Sequence, residues 1–329
     1  MIRFGIIGTN FVSDWMAEAI QMTEGVELSA VYSRGSKTGN VFASHHHIPY
    51  VYTDFEAFIH SDKIDAVYVA SPNVAHCGQA VEAMNAGKHV LCEKAIATNS
   101  KEFLQMKAAA EKNNVILMEA MRPVHDISCQ IVLEQMKQIG TIRRACIEYC
   151  QYSSRYDKFK EGVILHAFDP EYSNAAIMDI GVYCVHYCAR LFGMPDKIHA
   201  ESTFLHNGME GCGILLLNYG QMQVEIVYSK ITQSALPSII HGEDASVTID
   251  CLSKPTKVMK IYRDGRQEDL GYVPVTNNMV HEVADFRDII AAGRWDHEYL
   301  KYSEITMAVM DEARRQTGIV FPVEQNKNI

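Results

Sequence analysis

The feature that most constrains the fold is the N-terminal run of residues 1–13, in which an apolar segment ends at a tight glycine turn. Residues 14–20 follow with the apolar spacing of a helix. A strand, a tight turn and a helix together aim backbone N–H groups and the positive helix end at one place, where a pyrophosphate binds. The fingerprint Gly-x-Gly-x-x-Gly is incomplete, since its positions hold Gly8, Asn10 and Ser13. The turn alone fits a dinucleotide site, and it also fits a turn that binds nothing.

Predicted strands and helices alternate over the first 120 residues. Helices are predicted after Asp54, around residues 79–84 and over 100–113, and the later strands are predicted at 26–32, 50–52, 65–70, 89–92 and 115–118. This alternation is typical of an α/β fold with a doubly wound parallel sheet.

The pattern changes beyond residue 120. Helices are predicted over residues 128–138 and 178–192, with a strand at 145–149 and an aromatic-rich loop at 155–173 between them. Short strands separated by turns then predict an antiparallel meander at 198–205, 212–219, 222–229, 236–241, 246–250 and 257–262. Two helices, 281–292 and 303–317, follow. We therefore predict two domains, 1–120 and 121–329, with a ligand cleft between them.

Length and charge narrow the class of protein. A chain of 329 residues is too long for one ordinary core, which supports two domains. The formal net charge of −10 argues against binding to nucleic acid or acidic membranes. The nine cysteines are scattered singly, as expected of reduced thiols in a cytoplasmic protein. No leader pattern and no run of eighteen apolar residues is present, so we expect neither export nor membrane insertion.

The loops after the parallel strands are expected to face a ligand. Ser33 and Arg34 follow the second strand, where an acidic residue would otherwise bind the ribose hydroxyls of NAD. A cation and a hydroxyl suit a 2′-phosphate, which favours NADP, although surface arginines are also common in loops. The turn of residues 71–73 is expected to lie under the cofactor, with His76 as a helix-start or supporting residue.

Lys94 follows an apolar strand at its C-terminal tip. Beside an oxidised nicotinamide ring, partial burial and the positive ring would disfavour the charged ammonium. The amine could then donate or accept a proton near neutral pH. The alternative is an exposed loop lysine paired with Glu93.

Three polar residues are spaced along one predicted helix. Asp179, Tyr183 and His186 lie four and three residues apart, so the spacing predicts that all three project from one helix face. Such groups on an apolar helix are costly unless they meet polar partners. The combination indicates a functional site.

Taken together, these motifs resemble the glucose–fructose oxidoreductase and inositol dehydrogenase (Gfo/Idh/MocA) family. The resemblance rests on Gly8-Thr9-Asn10, Cys92-Glu93-Lys94, Met118-Glu119-Ala120 and Asp179-x-Gly181-x-Tyr183, in that order along most of the chain. It is closest to the dimeric dihydrodiol and xylose dehydrogenase branch, which has Tyr where the inositol branch has His.

The resemblance implies an N-terminal Rossmann domain and a C-terminal α+β domain whose large, open, mostly antiparallel sheet forms a homodimer or larger oligomer. It also implies an NAD(P)-dependent dehydrogenase that acts on CH–OH groups of a sugar, cyclitol or diol. Lys94 and Tyr183 would be the acid/base pair, with Asp179 orienting the substrate or the lysine. The expected cofactor-binding residues are Gly8, Thr9, Asn10, Phe11, Ser33, Arg34, Ser71, Pro72, Asn73, His76, Glu93 and Lys94.

Three positions depart from the family pattern. Ala95 replaces a proline, so a trans peptide and a looser loop are expected. Residues 173–176, Ser-Asn-Ala-Ala, replace two adjacent glycines, which is expected to reshape the substrate pocket. Asn10 is expected to be tolerated because asparagine accepts positive φ. The replaced glycines at positions 10, 174 and 175 leave open a second function, a non-catalytic sensor that binds a dinucleotide.

Two further features have alternative interpretations. His45-His46-His47 is expected to lie in a solvated loop, because three consecutive residues of regular structure cannot all reach one metal ion. The aromatic segment 152–172, with Arg155, Lys158 and His166, either closes over a substrate or contributes only packing.

Overall fold

The structure, a computed structural model, describes residues 1–325. These residues form two compact units. The first unit comprises residues 1–122 and 276–301, and the second comprises 123–275 and the chain from Tyr302 onward. The predicted second domain began at residue 121 and ran to the C-terminus, so the return of 276–301 to the first unit is a difference from the sequence-based boundaries.

Helices occupy both units. They are α1 (Phe11–Met22), α2 (Ser36–His46), α3 (Phe55–Ile59), α4 (Asn73–Asn85), α5 (Ser100–Asn113), α6 (Arg122–His125), α7 (Ile127–Met136), α8 (Tyr156–Lys160), α9 (Val182–Phe192), α10 (Met279–Ala292), α11 (Glu298–Thr317) and α12 (Pro322–Gln325). A π-helical turn, Ile177–Gly181, leads directly into α9.

The first unit contains a parallel sheet of six strands. The strands are β1 (Ile2–Ile7), β2 (Val26–Tyr32), β3 (Tyr50–Tyr52), β4 (Ala66–Val69), β5 (His89–Glu93) and β6 (Leu117–Ala120). Their spatial order is β3-β2-β1-β4-β5-β6. This order reverses between β1 and β4, where open parallel sheets bind their ligands.

The predicted elements of this unit agree with the structure except at their ends. The predicted bounds of β2, β3 and α5 are those observed, whereas β6 begins at Leu117 rather than at residue 115. Helix α10 belongs to this unit because its apolar face packs here. The ring of Phe286 lies 5.8 Å from that of Phe4, and both side chains are fully buried. A local apolar pattern does not identify which core such a helix joins.

The second unit contains a sheet of eight strands. They are β7 (Ile142–Cys150), β8 (Lys197–Phe204), β9 (Glu210–Asn218), β10 (Gln223–Ser229), β11 (Ser238–Gly242), β12 (Ala245–Ile249), β13 (Val258–Tyr262) and β14 (Gln267–Asp269). The spatial order is β14-β13-β12-β11-β7-β10-β9-β8. The predicted antiparallel meander is present within β8–β10 and within β11–β13, but it is interrupted, because β7 lies between β10 and β11 and pairs in parallel with β10. Turn patterns indicate hairpins but not long-range strand partners.

One face of this sheet is covered by α9 and the turn before it. Gly181 packs so closely on Tyr228 that a Cβ atom would lie 3.1 Å from the ring. On the other face of β9, Ile214 and Leu216 are exposed. The segment Pro170–Phe192 has the length and hydropathy of a membrane span, but 83% of its most apolar window is buried, as in a core helix.

Candidate active site

The turn after β1 requires glycine. Gly8 has a φ of +105°, and a Cβ atom there would lie 3.0 Å from the carbonyl oxygen of Ala70, which follows β4. Thr9 is half-buried, and the ring of Phe11 is 57% exposed at the start of α1. At the point where the strand order reverses, the turn after β1 therefore exposes mainly backbone atoms, with little side-chain bulk.

Asn10 has a different role from the one expected. Its φ is −91°, so the explanation through positive φ is wrong. Its Oδ1 accepts hydrogen bonds from the N–H groups of Val12 (2.9 Å) and Ser13 (3.2 Å), and its Nδ2 donates to the carbonyl oxygen of Ala70 (2.8 Å). Asn10 therefore caps α1 and joins the turn after β1 to the end of β4.

The end of β2 presents a cation. Arg34 is exposed, while Ser33 is buried and its hydroxyl lies 2.8 Å from Oγ1 of Thr38. Helix α2 begins two residues later, and its N-cap, Gly35, provides no side-chain cap. A guanidinium beside a helix N-terminus forms a suitable environment for a phosphate.

His76 connects two of the predicted cofactor loops. It is fully buried, with Nδ1 2.9 Å from the carbonyl oxygen of Ala95 and Nε2 2.8 Å from that of Ser71. Burial lowers the pKa of His76, although the two carbonyls oppose this. Pro72 is exposed as the N-cap of α4, and Asn73 is buried as its first residue. His76 therefore acts as a structural link between the turn after β4 and the loop after β5.

Lys94 stands out in the loop after β5. All the other residues from 91 to 98 are buried, whereas Lys94 is half-exposed. The carboxylate of Glu93 accepts a hydrogen bond from the hydroxyl of Tyr68, and burial raises the pKa of Glu93. The backbone of this loop is enclosed, and only its lysine side chain reaches solvent.

The expectation of a trans peptide and a looser loop is wrong. The Lys94–Ala95 peptide bond is cis, and Ala95 is fully buried. Hydrogen bonds hold both polar groups of the peptide unit that follows Ala95: the carbonyl oxygen of Ala95 faces His76, and the N–H of Ile96 donates to Oε1 of Glu119 at 3.0 Å. The expectation considered only the intrinsic preference of alanine and not these tertiary contacts.

A second buried carboxyl group lies near Glu93. Glu282 on α10 is fully buried, and neither of its carboxyl oxygens has a hydrogen-bond partner among residues 1–325. Burial raises the pKa of Glu282 well above its ordinary value, and the negative charge of Glu93 acts in the same direction, while Arg122 opposes them. The sequence analysis did not identify this group.

Replacing Glu282 with glutamine should make the protein more stable at high pH. The unfolded carboxyl ionises near its ordinary pKa of 4.5, whereas the folded carboxyl keeps its proton to higher pH. Above the unfolded pKa, wild-type stability therefore falls by about 1.4 kcal/mol per pH unit until the folded group ionises. We therefore compare the Tm of Glu282→Gln with that of wild type at two pH values. The Tm of the variant minus that of wild type should be larger at about pH 8 than at about pH 5. The exposed Glu18→Gln is the control, and an equal Tm difference at both pH values would contradict the prediction.

In the second unit, the π-helical turn presents Asp179 and α9 presents Tyr183 toward the sheet. Oδ2 of Asp179 lies 3.0 Å from Nζ of Lys230, which follows β10. The ring of Tyr183 packs edge-on against Tyr149 of β7, with centroids 5.4 Å apart. Tyr183 is nearly buried, and Asp179 is about one-third exposed.

His186 does not join these residues, so the prediction of one shared polar face is wrong. Its Nε2 lies 3.4 Å from the hydroxyl oxygen of Ser303, on α11. Burial lowers the pKa of His186 to about 3. Tyr183 and His186 both lie in α9, but they face different neighbours, because the sheet covers one side of this helix and α11 covers the side that carries the imidazole.

The segment before the π-helical turn is tightly held. Ser173 is fully buried at a φ of +55°, and Nδ2 of Asn174 donates to the carbonyl oxygen of His166 at 2.8 Å. The aromatic side chains of the preceding loop pack on one another, with the ring of Phe159 5.2 Å from that of Phe168. These contacts favour the packing interpretation of the loop.

The prediction that the three consecutive histidines lie in a solvated loop is wrong. His45 and His46 form the end of α2, and the buried Nε2 of His46 lies 2.8 Å from Oδ1 of Asp14. A helix ends here because His47 takes the left-handed conformation. Within residues 1–325, no cluster of three His, Cys, Asp or Glu residues is arranged to hold a metal ion.

The sheet order, the glycine turn after β1 and the cation after β2 define a dinucleotide-binding Rossmann unit. Residues 2–121 match the profile of an oxidoreductase family with an NAD-binding Rossmann fold, and residues 133–248 match the GFO/IDH/MocA C-terminal domain. The chain belongs to the Gfo/Idh/MocA family of oxidoreductases.

Three known proteins are similar to this chain. A scyllo-inositol 2-dehydrogenase (NADP(+)) of Bacillus subtilis is 42% identical over 99% of this chain and all of its own length. A trans-1,2-dihydrobenzene-1,2-diol dehydrogenase of Xenopus laevis is 27% identical, over 97% of this chain and 99% of that protein. A 3-ketoreductase of Actinomadura kijaniata, solved with NADP, is 20% identical and has a TM-score of 0.84, over 96% of this chain and 98% of that one. Identity is thus higher with the inositol enzyme than with the diol enzyme.

Proposed function

We propose that this protein is an NADP-dependent dehydrogenase that moves a hydride between the nicotinamide and a hydroxyl-bearing carbon of a cyclitol or sugar. The single observation that carries the proposal is Lys94, the one half-exposed side chain in an otherwise buried loop at the carboxyl edge of a Rossmann sheet. The 42% identity to an NADP-linked inositol dehydrogenase supports this substrate class.

The first unit fits a dinucleotide. Gly8 leaves room for a pyrophosphate where a side chain would collide with backbone. Arg34 and the N-terminus of α2 suit the 2′-phosphate that distinguishes NADP from NAD. When bound, NADP supplies the hydride acceptor or donor, and the protein positions it. We propose that residues 1–120 bind the cofactor and that residues from 121 onward bind the substrate.

The proton must move separately from the hydride. We propose that Lys94 and Tyr183 exchange it with the substrate hydroxyl, as the family resemblance implies, and that Asp179 orients the reacting groups. The ring of Tyr183 is positioned by its packing on Tyr149, and the carboxylate of Asp179 is paired with Lys230. An ionised carboxylate held in one place can accept a hydrogen bond from a substrate hydroxyl in a defined direction.

The test is a turnover assay with purified protein, NADP and then NAD, across a panel of inositols, aldoses and diols. NADPH formation with at least one cyclitol or sugar is expected. Tight NADP binding with no turnover across the panel would instead support a non-catalytic sensor.

We also propose that the open face of the second unit's sheet forms a homodimer. Ile214 and Leu216 on β9 are 52% and 39% exposed, and apolar side chains exposed together on a sheet favour association. Light scattering should give a dimer mass for wild type and a monomer mass for Ile214→Glu. The control is Leu236→Glu, whose leucine is exposed outside the strands. A monomeric wild type would contradict this proposal.

A cytoplasmic location is proposed as well. All nine cysteines are free thiols, which suits a reducing compartment. Cell fractionation tests this, and recovery outside the cytoplasm would contradict it.

A further inference from the structure

Lys230 is a buried lysine that takes no part in the proposed transfer of the proton. It directly follows β10, and its side chain is 1% exposed. Three acceptors lie within hydrogen-bond distance of Nζ: the carbonyl oxygens of Ala167 (2.6 Å) and Asn174 (2.9 Å), and Oδ2 of Asp179 (3.0 Å). An ammonium has three N–H bonds, so this geometry suits a fully hydrogen-bonded, charged lysine. Burying such a charge is costly unless it is paired in this way.

The three acceptors come from different parts of the second unit. Two belong to the segment that enters the π-helical turn, and the third is the carboxylate that this turn presents. The ring of Phe168 lies 5.0 Å from Nζ and closes one side of the site. A change at Lys230 therefore alters the charge beside Asp179 and the support of the segment that carries it.

We infer that Lys230 is a positioning residue for the proposed reaction, one that holds the Asp179 carboxylate in its ionised form and in a fixed direction. The inference rests on the proposed function, because Asp179 is assigned there to orient the reacting groups. Lys230 itself acts through Asp179.

The start of the turn has a support besides Lys230. Glu210 on β9 accepts hydrogen bonds from the N–H of Ile177 (2.7 Å), the hydroxyl of Tyr228 (2.6 Å) and the hydroxyl of Ser202 (2.7 Å). Burial raises the pKa of Glu210, and the positive charge of Lys230 opposes this. The turn is thus fixed at its start by Glu210, so loss of the Lys230 charge should act mainly on the Asp179 side chain.

Charge and structural support can be separated by two substitutions. Lys230→Gln removes the charge but keeps N–H donors for the carbonyl oxygens of Ala167 and Asn174, whereas Lys230→Met removes both. If Lys230 only supports the loop, glutamine should replace it with little loss of activity. If Lys230 positions Asp179, glutamine should not restore activity, because it carries no charge.

We expect Lys230→Gln to lower kcat/KM for the best panel substrate by about 10²-fold, mainly through kcat, because a small displacement of a catalytic group has an effect of this size. The acidic limb of the pH profile should move to higher pH by roughly 1 to 3 units, because a carboxylate without its cation is protonated more easily. Lys230→Arg should recover part of kcat and return the limb toward its wild-type position. NADP affinity should stay at the wild-type value.

The loss should also be non-additive with that of Asp179→Asn, because both changes remove the same interaction. Lys260→Met is the matched control, since Lys260 is another buried lysine of this sheet. Circular dichroism and Tm monitor folding. If Lys230→Gln does not fold, Lys230→Arg decides: a loss of kcat that is non-additive with that of Asp179→Asn supports the inference, and wild-type kcat or an independently additive loss overturns it.

An active wild type with unchanged kcat, KM and pH profile in Lys230→Gln would overturn the role of Lys230 and leave the proposed function intact. Losses that add independently to those of Asp179→Asn would overturn it as well. A wild type inactive across the panel would contradict the proposed function and this inference with it.

Discussion

Replacing Lys94 with methionine should lower kcat by about 10²- to 10⁴-fold, the contribution usual for a positioned general acid or base. Methionine keeps much of the length and volume of the lysine side chain but cannot carry a proton. The loop itself should be little affected, because its buried backbone is held through Ala95 and Ile96 and not through the lysine side chain alone.

Affinity for NADP, measured by fluorescence titration, should remain within a few-fold of wild type, because the residues assigned to the phosphates lie elsewhere in the first unit. Lys101→Met is the matched control, since Lys101 is exposed on α5. Wild-type turnover in Lys94→Met would remove the lysine from the mechanism. Loss of NADP binding together with turnover would assign it to cofactor binding instead.

Replacing Arg34 with serine should lower kcat/KM for NADP by roughly 10- to 100-fold and change that for NAD little. A hydrogen bond to a charged group contributes about 1.5–3 kcal/mol, which corresponds to this range. Raising the ionic strength should weaken NADP binding to wild type more than to Arg34→Ser, because salt screens the exposed guanidinium.

The control for this change is Arg294→Ser, which removes another exposed arginine of the first unit, one paired with Asp296. Equal losses for NADP and NAD in Arg34→Ser would show that Arg34 does not contact the 2′-phosphate. No change with either cofactor would show that Arg34 is a surface arginine without a role in cofactor binding, which is the alternative left open by the sequence.

The sheet of the first unit was predictable because each buried strand is a short apolar run followed by turn residues. The positions of Gly8, Arg34 and Lys94 at the carboxyl ends of β1, β2 and β5 follow from that pattern alone, since parallel strands end at one edge. The role of Asn10 could not be predicted in the same way. An asparagine at this position of the fingerprint can either take a positive φ or cap the helix, and the sequence does not distinguish the two.

The second unit was less predictable because its key contacts are long-range. The place of β7 beside β10 joins residues about eighty positions apart, and no local pattern specifies it. The separation of His186 from Asp179 and Tyr183 also depends on a long-range contact, because the imidazole faces Ser303 on α11.

The sequence carries one signal for Lys230. It is a lysine directly after an apolar strand, the same arrangement that identified Lys94. Its ion pair with Asp179 could not be predicted, because the partner lies on the helical side of the unit and the register between the two is set by tertiary packing.

The most direct test of the central claim follows the hydride itself. Protein is incubated with NADPH that carries deuterium at the transferable position of the nicotinamide, together with keto derivatives of inositols and sugars, and the products are examined by mass spectrometry. We predict that a product hydroxyl-bearing carbon gains deuterium in step with NADP formation, and that Lys94→Met binds the labelled cofactor without this transfer. Tight binding of NADPH by wild type with no deuterium in any product would contradict the assignment of an oxidoreductase acting on this substrate class.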